Sequence, residues 1–380
     1  MARVAVVGGF GDVVAKVRGS LLRALRAEGH DVLVSVPSPS SEARTEVEAA
    51  LRSWGVELDL APLDRSGLNP LRELALGRHY RTLFRRWRPD AVLAYNPKPI
   101  FQAIPAAHAV GVPRRAALVT GLGFAFLDRS WRGRILSRVA CRWYARSARL
   151  ADCFLFQNPD DRAEFLARGL LPDGLRIVEL PGAGVDLRRF AFRPAPPASE
   201  VPTFLFVGRL LGDKGIRELA AAARILRGER IPFRLRLVGP FDENPSGLRP
   251  DEVAAWVSEG LLEAAGRVED VRPEVAACHV FVLPSYREGS PNATLEAMAT
   301  GRAIVTTDVP GCRGTVIEGV NGHLVPARDA PALARAMRSL AVDSDRVRRM
   351  GEASRRLAEE RFDAREVDRR IIDGLLGRAG

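Results

Sequence analysis

The sequence predicts an α/β protein made of two domains, each built on a parallel sheet. Short apolar segments alternate with amphipathic helical segments along the chain, which is the pattern of parallel α/β architecture. A length of 380 residues exceeds what one hydrophobic core usually organises, and a hydrophobic content of 47% is enough for two cores. A proline-rich stretch near the middle supplies a boundary between them.

The apolar segments give the order of the predicted strands. Each is rich in branched or aromatic residues and is followed by a turn or a helical pattern. The predicted strands are 4–7, 31–36, 91–95, 116–120, 153–157 and 177–180 in the first half, and 203–207, 234–238, 280–284 and 303–306 in the second.

The proline-rich segment 191–200 separates the two groups of strands. Proline cannot continue a helix or a central strand, because it lacks a backbone N–H. We therefore predict a first domain over 1–190, a linker over 191–200 and a second domain over 201–362. A terminal helix within 363–380 is expected to pack back on the first domain.

Positive charge is concentrated in the first half of the chain. The formal net charge is +11, and residues 1–185, with 27 basic and 18 acidic side chains, carry +9 of it. Between Arg129 and Arg149 the sequence has seven arginines and no acidic residue. Four of these repeat at helical spacing, which would align them on one face: Arg138, Arg142, Arg146 and Arg149.

A helix in this segment would also carry an apolar stripe beside the arginines, formed by Trp131, Ile135, Val139 and Trp143. Cationic side chains next to interfacial aromatic residues suit an anionic membrane surface, at about 1 kcal/mol per basic residue. The alternative is a solvated arginine face on a helix whose Trp and Val side chains pack into the core.

The sequence favours a cytoplasmic protein that is peripheral at the inner face of the membrane. No window approaches the roughly 20 apolar residues of a membrane-spanning helix, and the N-terminus begins with a strand-like segment rather than a secretion signal. The four cysteines are isolated from one another, which gives neither zinc-ligand spacing nor a disulfide framework.

A ligand site is predicted beyond the end of strand 280–284. Ser290 and Pro291 have the character of an N-cap and a first helical residue, so a helix should start here. Open parallel sheets bind ligands at the carboxyl ends of their strands, and the free N–H groups of a helix start suit phosphate. The groups expected to be free belong to Asn292, Ala293 and Thr294.

Two carboxylates flank this helix start. Glu288 precedes Gly289 in the loop, and Glu296 lies inside the helix. Amides for a diphosphate and acceptors for sugar hydroxyls together suit a sugar nucleotide. The alternative is that Glu288 is a loop charge and Glu296 an exposed helix residue.

The segment from Glu288 to Glu296 resembles the paired-glutamate motif of retaining family 4 glycosyltransferases, which have the GT-B fold. The likeness continues in order and spacing through 206–215, 266–270, 301–308 and 321–325. It implies two Rossmann-like parallel α/β domains that face each other across a deep cleft, and transfer of a hexose or N-acetylhexosamine from a UDP-sugar.

The resemblance also implies roles for single residues. Arg209 and Lys214 match the basic pair that binds the donor diphosphate, where fixed cations stabilise the charge of the leaving group. Glu296 matches the glutamate that binds the ribose, and Glu288 matches the one near the hexose. Retention is then expected without a covalent nucleophile. Loop residues expected near the nucleotide are Gly208 and Val268.

No metal ion and no other cofactor is expected. Metal-dependent transferases generally carry an Asp-x-Asp triplet at a strand end, and the only literal match is Asp343-Ser344-Asp345, outside the strands of the nucleotide domain. Arg209, Lys214 and the helix start would replace the metal. The triplet itself is interpreted as a solvated turn.

The first domain is expected to bind the acceptor. Gly8, Gly9, Phe10 and Gly11 follow the first strand, where missing side chains would let a ligand approach; a plain tight turn is the alternative. Two further segments, 95–99 and 120–124, resemble the bacterial subgroup that acts on polyprenyl-diphosphate-linked sugars. In them Lys98 would meet an acceptor phosphate, and Thr120, Gly121 and Gly123 would border the cleft. Many relatives have a histidine where this chain has Thr120.

The function predicted from the sequence is transfer to a lipid-diphosphate-linked glycan in cell-surface polysaccharide or glycan assembly. A nucleotide-sugar epimerase of similar fold is one alternative, although the paired glutamates and the basic first half argue against it. A basic nucleic-acid-binding protein is the other alternative. Nucleic acid is not expected as a partner, because the sequence contains no recognisable module for it.

Overall fold

The computed structural model describes residues 1–64, 69–122, 131–197, 201–242 and 246–378, except for the side chain of Arg132. The chain divides into two compact units, one formed by Met1–Pro181 with Ala364–Gly380 and the other by Gly182–Asp363. Each unit is a parallel sheet covered by helices.

The described part of the first unit contains a seven-stranded sheet in the order β3-β2-β1-β4-β5-β6-β7, with every pair parallel. Its strands are β1 (Arg3–Val7), β2 (Asp31–Pro37), β3 (Val56–Ala61), β4 (Ala91–Tyr95), β5 (Arg114–Val119), β6 (Cys153–Phe156) and β7 (Arg176–Glu179). Its connecting helices are α1 (Val14–Ala27), α2 (Ser41–Ser53), α3 (Pro70–Trp87), α4 (Pro97–Ala109), α5 (Trp131–Leu150) and α6 (Pro159–Ala167).

The second unit contains, among the described residues, a six-stranded parallel sheet in the order β10-β9-β8-β11-β12-β13. Its strands are β8 (Thr203–Val207), β9 (Arg234–Val238), β10 (Glu263–Gly266), β11 (Val280–Leu283), β12 (Ala303–Thr307) and β13 (Gly322–Val325). Its helices are α7 (Ile216–Gly228), α8 (Pro250–Ser258), α9 (Arg272–Ala277), α10 (Asn292–Thr300), α11 (Ala330–Ala341) and α12 (Ser344–Arg361).

The central strands are apolar on both faces, as parallel sheets covered on two sides require. In β1, Val4 and Val6 belong to one buried cluster, while Ala5 and Val7 belong to another on the opposite face. The predicted two-domain parallel α/β class is therefore confirmed. The strands that the sequence analysis missed are β3, β10 and β13, and each lies at an edge of its sheet.

The last helix, α13 (Ala364–Leu376), belongs to the first unit. Val367, Ile371 and Leu375 are buried in the same cluster as strand residues of β1 and β4. The chain therefore leaves the first unit at Pro181 and returns to it at Ala364.

The division between the units lies before the predicted boundary at residue 190. Residues 182–190 pack with the second unit, where the N–H of Val185 donates to Phe362 O at 2.7 Å and Phe190 is buried. The proline-rich segment is also fixed there, because the buried guanidinium of Arg302 donates to the carbonyls of Arg193 and Pro194.

In each sheet the order in which the chain adds strands reverses between two adjacent strands. β1 and β4 are neighbours in the first unit, and β8 and β11 are neighbours in the second. The connections that follow the two strands of such a pair run to opposite faces of the sheet. This opens a crevice at the carboxyl ends of the strands, where ligands bind. The loops after these four strands contain most of the residues singled out from the sequence.

Candidate active site

Two cations follow β8 in the second unit. Arg209 comes directly after Gly208, and its Nη1 lies 2.8 Å from Asp242 Oδ2. Lys214 ends a short 3-10 turn over 212–214, and its Nζ lies 2.5 Å from Glu288 Oε1. Arg209 is exposed, so a ligand phosphate can replace its carboxylate partner without burying an unpaired charge.

The Glu288 carboxylate is held from several directions. Its Oε1 accepts from Lys214 and also from Ser285 Oγ at 2.6 Å. Its backbone N–H donates to Pro310 O at 3.0 Å. The sequence predicted Glu288 and Lys214 at one site but not this ion pair, and it missed Ser285 as the hydroxyl that orients the carboxylate.

The turn that carries Lys214 is in backbone contact with the loop after β11. The Tyr286 N–H donates to Asp213 O at 2.9 Å. Gly215 has a φ of 71°, and a Cβ there would lie 2.0 Å from Pro284 O. Only glycine fits this approach, and the approach places Lys214 within reach of Glu288.

Helix α10 begins one residue later than predicted. Pro291, not Ser290, is the N-cap residue, and the first helical residue is Asn292. Ser290 Oγ instead accepts from the N–H of Ala183 at 2.8 Å. The Thr294 N–H also donates to Pro291 O at 2.9 Å, so the prediction that this group is free is wrong.

Several polar groups of the first turn of α10 have no partner among the described residues. They are the N–H groups of Asn292 and Ala293 and two buried side-chain oxygens, Asn292 Oδ1 and Thr294 Oγ1. Buried polar groups in native proteins are normally hydrogen-bonded. This turn therefore has unused donors and acceptors where the sequence predicted a phosphate.

Glu296 is mostly buried on the second turn of α10. Burial raises the pKa of its carboxyl to about 7, although the positive charge of Arg189 acts in the opposite direction. A bound ligand that supplies hydroxyl donors would favour the ionised form. Arg189 was not singled out from the sequence, because it lies far from Glu296 in the chain.

Backbone hydrogen bonds of glycines connect the loops after β8, β9 and β10. The Gly208 N–H donates to Val238 O at 2.9 Å, and the Gly239 N–H donates to Gly266 O at 2.8 Å. Val268 is half-buried and packs against the hydrophobic core of the second unit. Gly208 and Val268 therefore lie in one continuous group of loops at the carboxyl edge of this sheet.

Asn96 organises the corresponding edge of the first sheet. Its Oδ1 accepts from the N–H of Gly9 at 3.1 Å, and its Nδ2 donates to Thr120 Oγ1 at 2.9 Å. Asn96 has a φ of 70° and a ψ of 154°, a strained backbone conformation that residues other than glycine rarely adopt. The sequence did not single out Asn96, although an asparagine before Pro97 at a strand end marks a helix start.

The glycines after β1 are more tightly packed than a free ligand loop. A Cβ on Gly8 would lie 2.2 Å from the ring of Tyr95, so the space is filled by that ring. Gly11 O accepts from the Val14 N–H at the start of α1, and Phe10 beside it is half-buried. Gly121 is described with a φ of 123°, whereas Gly123 lies outside the described residues.

Lys98 already has partners inside the first unit. Its Nζ lies 2.8 Å from Glu73 Oε1 and 2.5 Å from Asp64 O. An acceptor phosphate would have to compete with the carboxylate of Glu73 for this ammonium group.

The described residues contain no group of three or more His, Cys, Asp or Glu side chains that could hold a metal ion. Asp343 of the Asp-x-Asp triplet serves as the N-cap of α12, where its Oδ1 accepts from the Arg346 N–H at 2.8 Å. The predicted solvated turn is thus a helix cap.

The arginine-rich segment forms α5, and three of the four residues of its predicted apolar stripe face outward. Trp131 is 62% exposed, Ile135 is 50% exposed and Val139 is 44% exposed. Trp143 is half-buried, and its ring centroid lies 6.0 Å from that of Phe101. The alternative in which the Trp and Val side chains pack into the core is therefore wrong for Trp131 and Val139 but not for Trp143. In the described parts of the chain, no helix is both long enough and apolar enough to cross a membrane.

Comparison with known families identifies the family of this chain. Residues 14–183 match the model of a glycosyl transferase 4-like domain, and residues 201–343 match the model of glycosyl transferases group 1. The two ranges span most of the chain, and the second contains Arg209, Lys214, Glu288 and Glu296. The chain belongs to this glycosyltransferase family.

Two relatives align with nearly the whole enzyme. It is 27% identical to the N,N'-diacetylbacillosaminyl-diphospho-undecaprenol alpha-1,3-N-acetylgalactosaminyltransferase of Campylobacter jejuni, over 91% of each chain. It is 29% identical to a glycogen synthase of Mycobacterium tuberculosis, over 95% of this chain and 89% of the other. These matches favour a transferase over the epimerase.

Solved structures show the same fold at low identity. Sucrose-phosphate synthase from Thermosynechococcus elongatus has a TM-score of 0.79 at 20% identity and covers 98% of both chains. Anabaena HepE in complex with UDP-glucose has a TM-score of 0.76 at 16% identity, covering 98% of this chain and 99% of the other. The GT-B fold predicted from the sequence is confirmed.

Proposed function

We propose that this glycosyltransferase moves a hexose or N-acetylhexosamine from a UDP-sugar to a lipid-diphosphate-linked glycan, with retention and without a metal ion. The observation that carries the proposal is the joining of Lys214, Glu288 and the start of α10 at the carboxyl end of β11. This arrangement offers a cation from the turn after β8, a fixed carboxylate from the loop after β11 and unpartnered N–H groups in the first turn of α10.

The donor diphosphate would occupy the start of α10. Arg209 and Lys214 would bind its oxygens, and the N–H groups of Asn292 and Ala293 would complete the anion site. As the bond between the sugar and the diphosphate breaks, the departing oxygen gains negative charge, and these groups stabilise that charge better than the ground state. They supply the charge compensation that a divalent ion provides in other transferases.

In this proposal Glu288 positions the hexose and does not attack it. Its Oε1 is engaged by Lys214 and Ser285, which lowers its availability as a nucleophile. In the proposed reaction, the acceptor hydroxyl attacks the anomeric carbon from the side on which the diphosphate leaves. Its proton passes to the departing phosphate oxygen, so the products are the extended glycan and UDP.

Uridine as the base is supported by the fold neighbour Anabaena HepE, which was solved with UDP-glucose. Glu296 would accept hydrogen bonds from the ribose hydroxyls. A lipid-linked acceptor is supported by the Campylobacter jejuni relative, whose name specifies a diphospho-undecaprenol substrate.

Membrane attachment would come from α5. Its exposed Trp131, Ile135 and Val139 share a helix face with exposed arginines. This combination suits an anionic leaflet and would hold the enzyme at the inner face of the membrane, where lipid-linked glycans are extended.

The experiment that tests the proposal is a transfer assay with a panel of UDP-sugars and polyprenyl-diphosphate-linked glycans in excess EDTA. One donor should be consumed, and the anomeric configuration of the product, read by proton NMR, should match that of the donor. Activity that disappears in EDTA and returns with magnesium would contradict metal independence, and an inverted product would contradict retention.

A further inference from the structure

A groove of about 350 Å³ lies on the outer surface of the first unit, between α3, α4 and α5. This volume is at the lower end of the range for small-molecule sites, about 300–1,000 Å³. The groove is lined by Arg81 of α3, by Pro105, His108 and Ala109 of α4, and by Arg146, Arg149 and Leu150 of α5.

No acidic side chain balances the charge of this groove, although Arg149 lies in the last turn of α5, where the helix dipole favours a cation. Arg81, Arg146 and Arg149 form no ion pair with any described residue, and no acidic side chain lines the groove. Many arginines elsewhere in the enzyme are paired, such as Arg115 with Asp152 and Arg236 with Glu274. Three guanidinium groups around one depression repel one another unless an anion lies between them.

The shape of the groove is fixed by the fold. Two carbonyls at the end of α4 are satisfied, since Ala107 O and His108 O accept from the N–H groups of residues 110–112. The Arg146 guanidinium lies 5.7 Å from the centroid of the Trp143 ring, which restrains it. Side-chain donors of Arg81, Arg146 and Arg149 line the groove.

The groove is separate from the residues around Asn96. Helices α4 and α5 end at Ala109 and Leu150, shortly before β5 and β6 begin. Their C-terminal ends therefore lie at the amino edge of the parallel sheet, whereas Asn96 lies at the carboxyl edge.

We propose that the α3–α5 groove binds a phosphate group. Arginine presents planar sets of N–H donors that match phosphate oxygens, and three of them with His108 surround the cavity. The source favoured by the structure is the headgroup of an anionic phospholipid, because α5 also exposes Ile135 and Val139 on the face that carries Arg146 and Arg149. The lipid source rests on the proposed membrane attachment, whereas the phosphate site does not.

The test compares two triple variants of the full chain that remove the same charge. The groove variant is Arg81→Gln/Arg146→Gln/Arg149→Gln. The control variant replaces three exposed arginines of the second unit that form no ion pair among the described residues: Arg335→Gln/Arg349→Gln/Arg356→Gln. Each protein is titrated calorimetrically with glycerol 3-phosphate, and its partition to phosphatidylcholine vesicles is measured with and without phosphatidylglycerol.

We expect the groove variant to lose glycerol 3-phosphate binding and to partition at least about tenfold less to anionic vesicles, with the control within about twofold of the wild type. The single change Arg149→Gln should weaken both glycerol 3-phosphate binding and partition to anionic vesicles, but less than the groove variant does. Loss of glycerol 3-phosphate binding with unchanged partition would support the phosphate site and assign it to a soluble phosphate. Equal behaviour of the two triple variants, or no glycerol 3-phosphate binding by the wild type, would overturn the proposal.

UDP titration of the same proteins separates this inference from the proposed function. The groove variant should bind UDP as the wild type does. A wild type that binds glycerol 3-phosphate but not UDP would remove the donor site and leave the groove in place.

Discussion

At the scale of single residues, Glu288 and Glu296 show how two carboxylates of one loop and helix acquire different properties. Glu288 is paired with Lys214 and oriented by Ser285. The carboxylate of Glu296 has no hydrogen-bond partner among the described residues and is mostly buried, which raises its pKa to about 7. One carboxylate is thus fixed by its partners, while burial raises the pKa of the other.

Replacing Glu288 by Gln should abolish transfer while sparing nucleotide binding. We expect turnover to fall by about 10²–10³, the usual loss when a group that acts in the transition state is removed. UDP affinity should be unchanged or higher, because Lys214 loses its carboxylate partner. Turnover and UDP titration of Glu288→Gln are compared with Glu360→Gln, an exposed glutamate of α12; wild-type turnover of the first variant would remove Glu288 from the site.

The raised pKa of Glu296 predicts a pH dependence of nucleotide binding. The ionised carboxylate is the better acceptor for ribose hydroxyls, so wild-type UDP affinity should rise as the pH increases through about 7. Glu296→Gln should bind more weakly at pH 8 and show a flatter profile between pH 6 and 8. Titration calorimetry across this range measures it, and parallel profiles for the two proteins would exclude Glu296 as the ionising group.

The same shift predicts a pH-dependent difference in stability. A carboxyl whose pKa is higher in the folded than in the unfolded state stabilises the fold below the unfolded pKa and loses that contribution as the pH rises through the folded pKa. The thermal stability of Glu296→Gln relative to the wild type should therefore increase as the pH rises from about 5 to about 8. Thermal unfolding at both pH values checks the sign, and a gain confined to low pH would contradict it.

At the scale of secondary structure elements, helix α10 has buried polar groups in its first turn that form no hydrogen bond among the described residues. Thr294 Oγ1 is buried without a partner, whereas Thr300 Oγ1 at the end of the same helix donates to Glu296 O at 2.8 Å. A buried hydroxyl without a hydrogen bond costs about 1–3 kcal/mol. The cost is explained if the hydroxyl is reserved for a ligand.

Thr294→Val should therefore stabilise the free enzyme and weaken UDP binding. The expected changes are a gain of about 1 kcal/mol in the free energy of unfolding and a fivefold to tenfold loss of affinity. Thr300→Val is the matched control and should lose stability without changing affinity. Denaturant unfolding and UDP titration measure both, and an unchanged affinity for Thr294→Val would mean that the hydroxyl does not reach the ligand.

The elements that the sequence predicted and those it missed differ in their position in the sheet. Central strands such as 91–95 and 203–207 coincide with the structure, because burial on both faces makes them continuous apolar runs. The edge strand Glu263–Gly266 has exposed residues and no such run. The start of α10 was displaced by one residue, because Ser290 contacts Ala183, a partner that local sequence does not reveal.

The candidate site shows the same limit. The family resemblance assigned Glu288 and Lys214 to one site, but their ion pair depends on the tertiary contact of Gly215 with Pro284. Asn96 could have been found from its position before a proline at a strand end. The partners of Lys98 could not, since Glu73 reaches it from a different helix.

At the scale of the whole molecule, the chain builds two units from three segments. The last segment contributes α13 to the first unit, and Ile371 is fully buried there. The stability of the first sheet should therefore depend on residues at the far end of the sequence.

Ile371→Ala should destabilise the first unit by about 2–5 kcal/mol, the usual cost of such a cavity. Native-state hydrogen exchange should show reduced protection in β4, β5 and β6, which α13 contacts. Leu333→Ala, a buried position of α11, is the matched change in the second unit. Loss of protection in the second unit alone after Ile371→Ala would contradict the assignment of α13.

The measurement that tests the central claim most directly is calorimetric titration of the enzyme with UDP, GDP and ADP in EDTA, repeated on Arg209→Ala/Lys214→Ala. We predict that UDP binds most tightly and that the double variant loses at least about tenfold in affinity, because two charge-assisted contacts to the diphosphate are removed. Equal binding of UDP by the wild type and the double variant, or no binding of any of the three nucleotides, would contradict the proposed donor site.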